Sequence, residues 1–357
     1  YNVAIGDEAG TAITTGDNNV LIGYVAGDAI TTGGSNVAVG YAALSAVTDL
    51  SENVAVGNAA MASATSASGN VAIGDSAGGG ATNTADNNVW IGNNAGYATT
   101  SGANNVLIGY ASGDAVTTGA SNTFVGYNSG TTITTGAANT FIGYDAGKDQ
   151  TTAGANTFVG DHSGANVTTA TNNTFLGYYS GLNVTTGASN TLIGNNAGDA
   201  ITTGSNTVFV GYAAGDAFTT GDAATGIGHQ ALSANTTGNA NTAVGYNAGL
   251  SITTGTHNVA LGVQAGDAIT TATYNTCLGT EAGSSITTGN NNILIGYQAG
   301  DGFDTEDNNV GIGTGALGGA SYAAIGNTAV GYNAGLAMTS GASSVIIGGY
   351  AGDAITT

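Results

Sequence analysis

A nine-residue phrase recurs along the whole chain, as NVAIGDEAG from Asn2, NTFIGYDAG from Asn139 and NTAVGYNAG from Asn327. Each repeat is numbered here from its leading residue, which is position 1. Repeats start at residues 2, 19, 36, 53, 70, 88, 105, 122, 139, 156, 173, 190, 207, 224, 241, 258, 275, 292, 309, 327 and 344. The spacing is 17 residues, apart from two spacings of 18. A constant period of this length predicts a solenoid, in which each repeat packs only on its neighbours.

The residue types at each position predict the structure of one rung. Position 4 is Ile, Val or Leu and position 5 is Gly in all 21 repeats, and a Thr pair is common at positions 13 and 14. We expect two short strands per rung, at positions 1–4 and 11–14, joined by glycine-rich corners. The predicted fold is an all-β parallel β-solenoid (β-roll) of 21 rungs. We expect residues 1–357 to form one continuous array, with irregular rungs near 36–87, 207–240 and 309–326, and to be part of a longer or processed chain.

The first predicted strand is apolar on both faces, which is typical of a parallel strand that is covered on both sides. Because one coil has one interior, we expect position 4 (Ile142 and its equivalents) to fill it and position 3 to contact another copy of the chain. The expected interface residues are Leu21, Trp90, Leu107, Phe124, Phe141, Phe158, Phe175, Leu192, Phe209 and Leu294. Asn at position 1, present in 18 repeats, is expected to form a hydrogen-bonded ladder between rungs.

The net charge of the chain limits the classes of molecule that we expect it to bind. The chain has 22 acidic residues and one basic residue, Lys148, for a net charge of −21. Nucleic acids and anionic membrane surfaces bind positive patches, so we expect neither as a partner. No apolar run approaches the roughly 18 residues of a membrane span, so membrane insertion is not expected.

Residues that could support chemistry are sparse and scattered. His162, His229 and His257 lie in distant repeats, and Cys277, the only cysteine, falls among apolar residues at position 3. No repeated nucleophile, base and acid occur together, so we expect no enzyme and no cofactor. One local acidic cluster is a candidate site for Ca²⁺, because hard cations take several carboxylates. It consists of Asp301, Asp304, Glu306 and Asp307.

Two columns of side chains are candidates for surface binding. Position 6 is a tyrosine column suited to glycans or other surfaces, made of Tyr24, Tyr41, Tyr110, Tyr127, Tyr144, Tyr178, Tyr212, Tyr246, Tyr297 and Tyr332. The Thr pairs could present one hydroxyl row as an O-glycan acceptor or an ice-binding face. We assign that row to Thr14, Thr31, Thr117, Thr134, Thr202, Thr253 and Thr287.

The pattern N-[VT]-x-[IV]-G-x-x-A resembles the head repeats of trimeric autotransporter adhesins, and the NTxxGYxAG arrays of bacteriophage tail fibres. In one repeat it is carried by Asn139, Thr140, Ile142, Gly143 and Ala146. The resemblance implies a left-handed roll of three chains, although the adhesin repeat is shorter, at about 14 residues. We therefore expect an oligomeric (trimeric or filamentous) structural or adhesive segment of an extracellular, cell-surface or virion fibre. The alternatives are a filament subunit joined end to end, and a glycan- or ice-binding module.

Overall fold

A computed structural model describes residues 1–46, 48–319, 325–338 and 341–353, and these contain 21 short β-strands, one per rung, and no helix. In chain order, β1 to β21 are Val3–Ile5, Val20–Ile22, Val37–Val39, Val54–Val56, Val71–Ile73, Val89–Ile91, Val106–Ile108, Thr123–Val125, Thr140–Ile142, Thr157–Val159, Thr174–Leu176, Thr191–Ile193, Val208–Val210, Thr225–Ile227, Thr242–Val244, Val259–Leu261, Thr276–Leu278, Ile293–Ile295, Val310–Ile312, Thr328–Val330 and Val345–Ile347. Part of the irregular region predicted near 309–326, residues 320–324, lies outside the described residues.

The chain is thus an all-β parallel β-solenoid, as the repeat predicts. It divides after Leu176 into two compact units, the first with β1–β11 and the second with β12–β21. Within each unit every strand pairs in parallel with the next, and equal repeat positions face each other, as Phe141 faces Phe158. No helix among the described residues has the length and hydropathy to cross a bilayer.

The prediction of a second strand at positions 11–14 is wrong for the described residues, which hold only an isolated bridge there, between Ala64 and Asn83. The reason is visible in the backbone hydrogen bonds of the Thr pair. The N–H groups of Thr117, Thr118 and Gly119 all donate to the carbonyl oxygen of Thr134, at 2.9, 3.3 and 3.2 Å. Three successive donors that converge on one acceptor form a tight bend rather than a strand ladder.

The asparagine ladder predicted at position 1 is present and buried. The backbone N–H of Asn156 donates to Oδ1 of Asn139 at 3.0 Å, and Nδ2 of Asn139 donates to the carbonyl of Ala153 at 3.0 Å. Equivalent bonds recur in other rungs, such as those of Asn258 and Asn275. Each side chain thereby satisfies a buried donor of the next rung and a buried acceptor of its own.

The corner after each strand explains the glycine at position 5. Gly143 has φ of +145°, which residues with a side chain rarely adopt. A Cβ atom there would lie 2.2 Å from the carbonyl oxygen of Gly160, the equivalent residue of the next rung. Both the backbone conformation and the close stacking of rungs therefore require glycine.

Candidate functional surfaces

The structure reverses the predicted orientation of the strands. All ten residues assigned to the oligomer interface, from Leu21 to Leu294, are fully buried within the coil. Position 3 is buried in every strand except β1, whereas positions 2 and 4 point outward. Ile142, expected inside, is 40% exposed. The prediction that position 3 contacts a partner is therefore wrong, because these side chains already form the core.

Position 3 can hold a large side chain because position 9 usually has none. Phe124, Phe141, Phe158 and Phe175 form an internal stack with ring centroids 4.8, 4.8 and 4.7 Å apart. A Cβ atom on Gly147, at position 9, would lie 2.5 Å from the ring of Phe141. Both positions therefore project into the same interior space.

The sequence contains a signal for this orientation that the prediction did not use. Position 9 is large in only four rungs, and in each of them position 3 is Ala or Gly. The pairs, position 3 first, are Ala38 with Leu44, Ala55 with Met61, Gly226 with Leu232, and Gly311 with Leu317. All eight residues are buried. This exchange of volume indicates that position 3 faces the interior of its own coil.

The outer side of the strands is a regular, uncharged surface, which we call the aliphatic face and define as positions 2 and 4 of the strands. Position 2 is Val, Thr or Ile and position 4 is Ile, Val or Leu in all 21 strands. Exposed fractions at position 4 include 47% for Leu176 and 42% for Leu278. Parallel pairing places equal positions side by side, so the face consists of two continuous columns within each unit.

The ten residues of the tyrosine column are all exposed, and many stack on one another. Ring centroids of Tyr110 and Tyr127 are 5.1 Å apart, and those of Tyr127 and Tyr144 are 5.2 Å apart, with interplanar angles of 10° and 6°. His229 stacks between Tyr212 and Tyr246 in the same way. Since these ring faces cover each other, the column offers mainly ring edges and hydroxyl groups to a ligand.

The threonines proposed as a hydroxyl row at position 13 are mostly half-buried. Their hydroxyl groups donate to the next rung, as Thr117 Oγ1 does to the carbonyl of Thr134 at 3.1 Å. Thr14, Thr31, Thr134, Thr202 and Thr253 bond to the equivalent carbonyl, and Thr287 bonds to the Asp304 carboxylate. The exposed residue of each pair is at position 14, as in Thr118 and Thr135. The assignment of the row to position 13 is therefore corrected to position 14.

The structure does not bring the four calcium candidates, Asp301, Asp304, Glu306 and Asp307, together. Glu306 is 3% exposed, and its carboxylate accepts hydrogen bonds from the backbone N–H groups of Asp304 and Thr305 at 2.7 and 2.9 Å. Asp307 accepts from the backbone N–H of Asn290. No group of three potential metal-ligating side chains occurs in the described parts of the chain.

Half-buried aspartates at position 10 are the main titratable groups with perturbed pKa. Burial raises the pKa of Asp199 and Asp216, and the charge of Asp216 raises that of Asp199 further. Cys277 is fully buried, and burial raises the pKa of its thiol to about 12. Such a thiol is a packing group and a poor nucleophile at neutral pH.

Three exposed surfaces therefore remain as candidates for binding: the aliphatic face, the tyrosine column and the outer threonines at position 14. Lys148, the only lysine, lies 3.7 Å from a carboxylate oxygen of Asp145 and presents no basic patch.

No protein-family model matches the chain, and a search of curated proteins finds no significantly similar sequence.

Proposed function

We propose that this chain is a structural or adhesive segment of an extracellular fibre, and that copies of it associate laterally through the aliphatic face. The observation that carries the proposal is the outward column at position 4, which is Ile, Val or Leu in every strand and is partly exposed throughout. Large, continuous apolar patches on a protein surface typically mark interaction sites. The trimeric adhesins and phage fibres that the repeat resembles support the same role.

A second copy of the chain fits this face better than other partners do. The face carries no charge, although the net charge of the chain is −21, so the acidic residues lie elsewhere in the rungs. Association through positions 2 and 4 would remove apolar area from water, at about 25 cal/mol per Å², without bringing like charges into contact. The columns of one copy also have the same spacing from rung to rung as those of another copy, because both consist of the same repeat.

The proposal is tested by placing charges on the aliphatic face. In the variant Val125→Glu/Ile142→Glu, two carboxylates would have to be buried without partners in the interface. We expect the dissociation constant measured by light scattering or analytical ultracentrifugation to rise by about 100-fold or more. The matched control is Thr135→Glu/Thr152→Glu, which adds the same charge at exposed position 14 of the same two rungs.

The control variant should associate as the wild type does. A wild-type chain that is folded and monomeric at all concentrations would refute lateral association. It would favour instead a monomeric module that binds a glycan or ice through an exposed face. Equal weakening by both variants would show that added charge, rather than the aliphatic face, disturbs the assembly.

A further inference from the structure

The interior column at position 12 contains both apolar and polar residues within the first unit. It is apolar at Ile30, Val116 and Ile133, all fully buried. Between them it contains Asn83 and Thr99, which are also fully buried. Asn83 occupies the column despite the extra residue in its rung, since it bridges in parallel to Ala64 and the N–H of Thr84 donates to the Thr100 carbonyl at 2.7 Å.

Three polar side-chain atoms in these two rungs are buried and have no hydrogen-bond partner among the residues that the structure describes. They are Nδ2 of Asn83, Oγ1 of Thr99 and Nε1 of Trp90. The carbonyl oxygen of the Asn83 side chain, by contrast, accepts from the N–H of Ala85 at 2.8 Å. Buried polar groups are almost always paired with protein or with ordered water, so three unpaired atoms in two neighbouring rungs point to a common partner.

Trp90 and Thr99 both adjoin Gly96. A Cβ atom on Gly96 would be 2.1 Å from Nε1 of Trp90, so the indole N–H lies against this residue. Thr99 follows Gly96 in a turn, and its N–H donates to the Gly96 carbonyl at 3.1 Å. Asn83 is the neighbour of Thr99 in the position 12 column.

We propose that Asn83, Trp90 and Thr99 form an internal hydration site that holds one ordered water molecule inside the first unit. The water accepts hydrogen bonds from Nε1–H of Trp90 and from Nδ2–H of Asn83, and it donates one to Oγ1 of Thr99. Three bonds are typical of a buried water in a protein. The site is distinct from the aliphatic face and does not depend on association of the chain.

The only tryptophan of the chain provides a selective probe. In the full-length protein labelled with ¹⁵N-tryptophan, the single indole N–H resonance should show a nuclear Overhauser effect to a long-lived water. Thr99→Val removes the hydroxyl group with little change in volume. We expect this variant to lose or strongly weaken the water cross-peak, to shift the indole N–H resonance, and to melt at a lower temperature than the wild type.

The control is Thr118→Val, which removes an exposed hydroxyl group at position 14 of the adjacent rung. It should leave the indole resonance and its water contact unchanged. An indole N–H in the wild-type protein without any water cross-peak would overturn the proposal, and this readout needs no variant to fold. The same conclusion would follow if Thr99→Val retained the full cross-peak.

Discussion

At the scale of residues, the core depends on a shared volume between positions 3 and 9. In most rungs a large residue at position 3 crosses the coil toward a glycine, as Phe141 does toward Gly147. In the rungs with Leu44, Met61, Leu232 and Leu317 the large side chain comes from position 9 instead. Both arrangements place one large side chain in the interior of the rung, and packing depends on total volume more than on its source.

A swap of these two residues within one rung tests this interpretation. Phe141→Ala alone should destabilise the protein by about 3–5 kcal/mol, because it leaves a cavity. Gly147→Leu alone should also destabilise it, because the new side chain would overlap the ring of Phe141. The double variant should be more stable than the sum of the single changes predicts, by at least about 1 kcal/mol in a double-mutant cycle followed by urea unfolding.

A mismatched double variant serves as the control for the swap. Phe141→Ala/Gly113→Leu combines the same cavity with a leucine two rungs away, where Leu107 fills the interior. Its effects should be close to additive. Additivity in the matched pair as well would show that positions 3 and 9 do not share a space.

At the scale of elements, the sequence was sufficient to predict the period, the parallel stacking and the asparagine ladder. These follow from the nearly constant spacing and from residue types that have one structural role. It was not sufficient for the orientation of the strand, since Phe141 and Ile142 are both apolar and hydrophobicity alone cannot decide which faces the core. The second strand was mispredicted because the Thr pair has high β propensity, whereas its N–H groups converge on a single carbonyl.

The bend at the Thr pair and the orientation of the strand are therefore determined by different kinds of information. The bend depends on backbone hydrogen bonds that no residue pattern reveals. The orientation could have been read from the exchange of large residues between positions 3 and 9. The hydration site was not predictable, because it depends on where the indole of Trp90 lies relative to Gly96.

The aspartates at position 10 give the stacked rungs a defined pH dependence. Burial raises the pKa of Asp199 and Asp216 in the folded state above the ordinary value of about 3.9. A raised pKa means that folding favours the protonated form. The protonated aspartates stabilise the folded state fully at pH values below the ordinary pKa. This stabilisation is lost as the pH rises through the raised pKa. We therefore expect the melting temperature to fall as the pH is raised from about 4 to about 7.

The variant Asp199→Asn/Asp216→Asn should show a weaker pH dependence, because neither amide titrates. Asp75→Asn, which changes an exposed acid in the other unit, is the control and should retain most of the wild-type slope. Thermal unfolding followed by circular dichroism across this range makes the comparison. A melting temperature that rises from acidic to neutral pH in the wild type, and does so equally in both variants, would contradict the expected sign.

At the scale of the whole molecule, the dominant property is an unbalanced charge. With 22 acidic residues and one lysine, every pair of copies repels at low ionic strength. The aliphatic face offers an attraction that does not depend on charge. Lateral association should then reflect a competition between long-range repulsion and short-range apolar contact.

This competition predicts that salt strengthens association. Raising the ionic strength from about 0.01 M to about 0.15 M shortens the Debye length from about 30 Å to about 8 Å, so the repulsion between copies is screened while the apolar contact is retained. The dissociation constant measured by analytical ultracentrifugation should fall across this range. The Val125→Glu/Ile142→Glu variant should remain largely dissociated, since screening does not remove the cost of burying its carboxylates. Wild-type association that weakened with salt would instead indicate an interface built on charge pairs, and the aliphatic face would lose its assigned role.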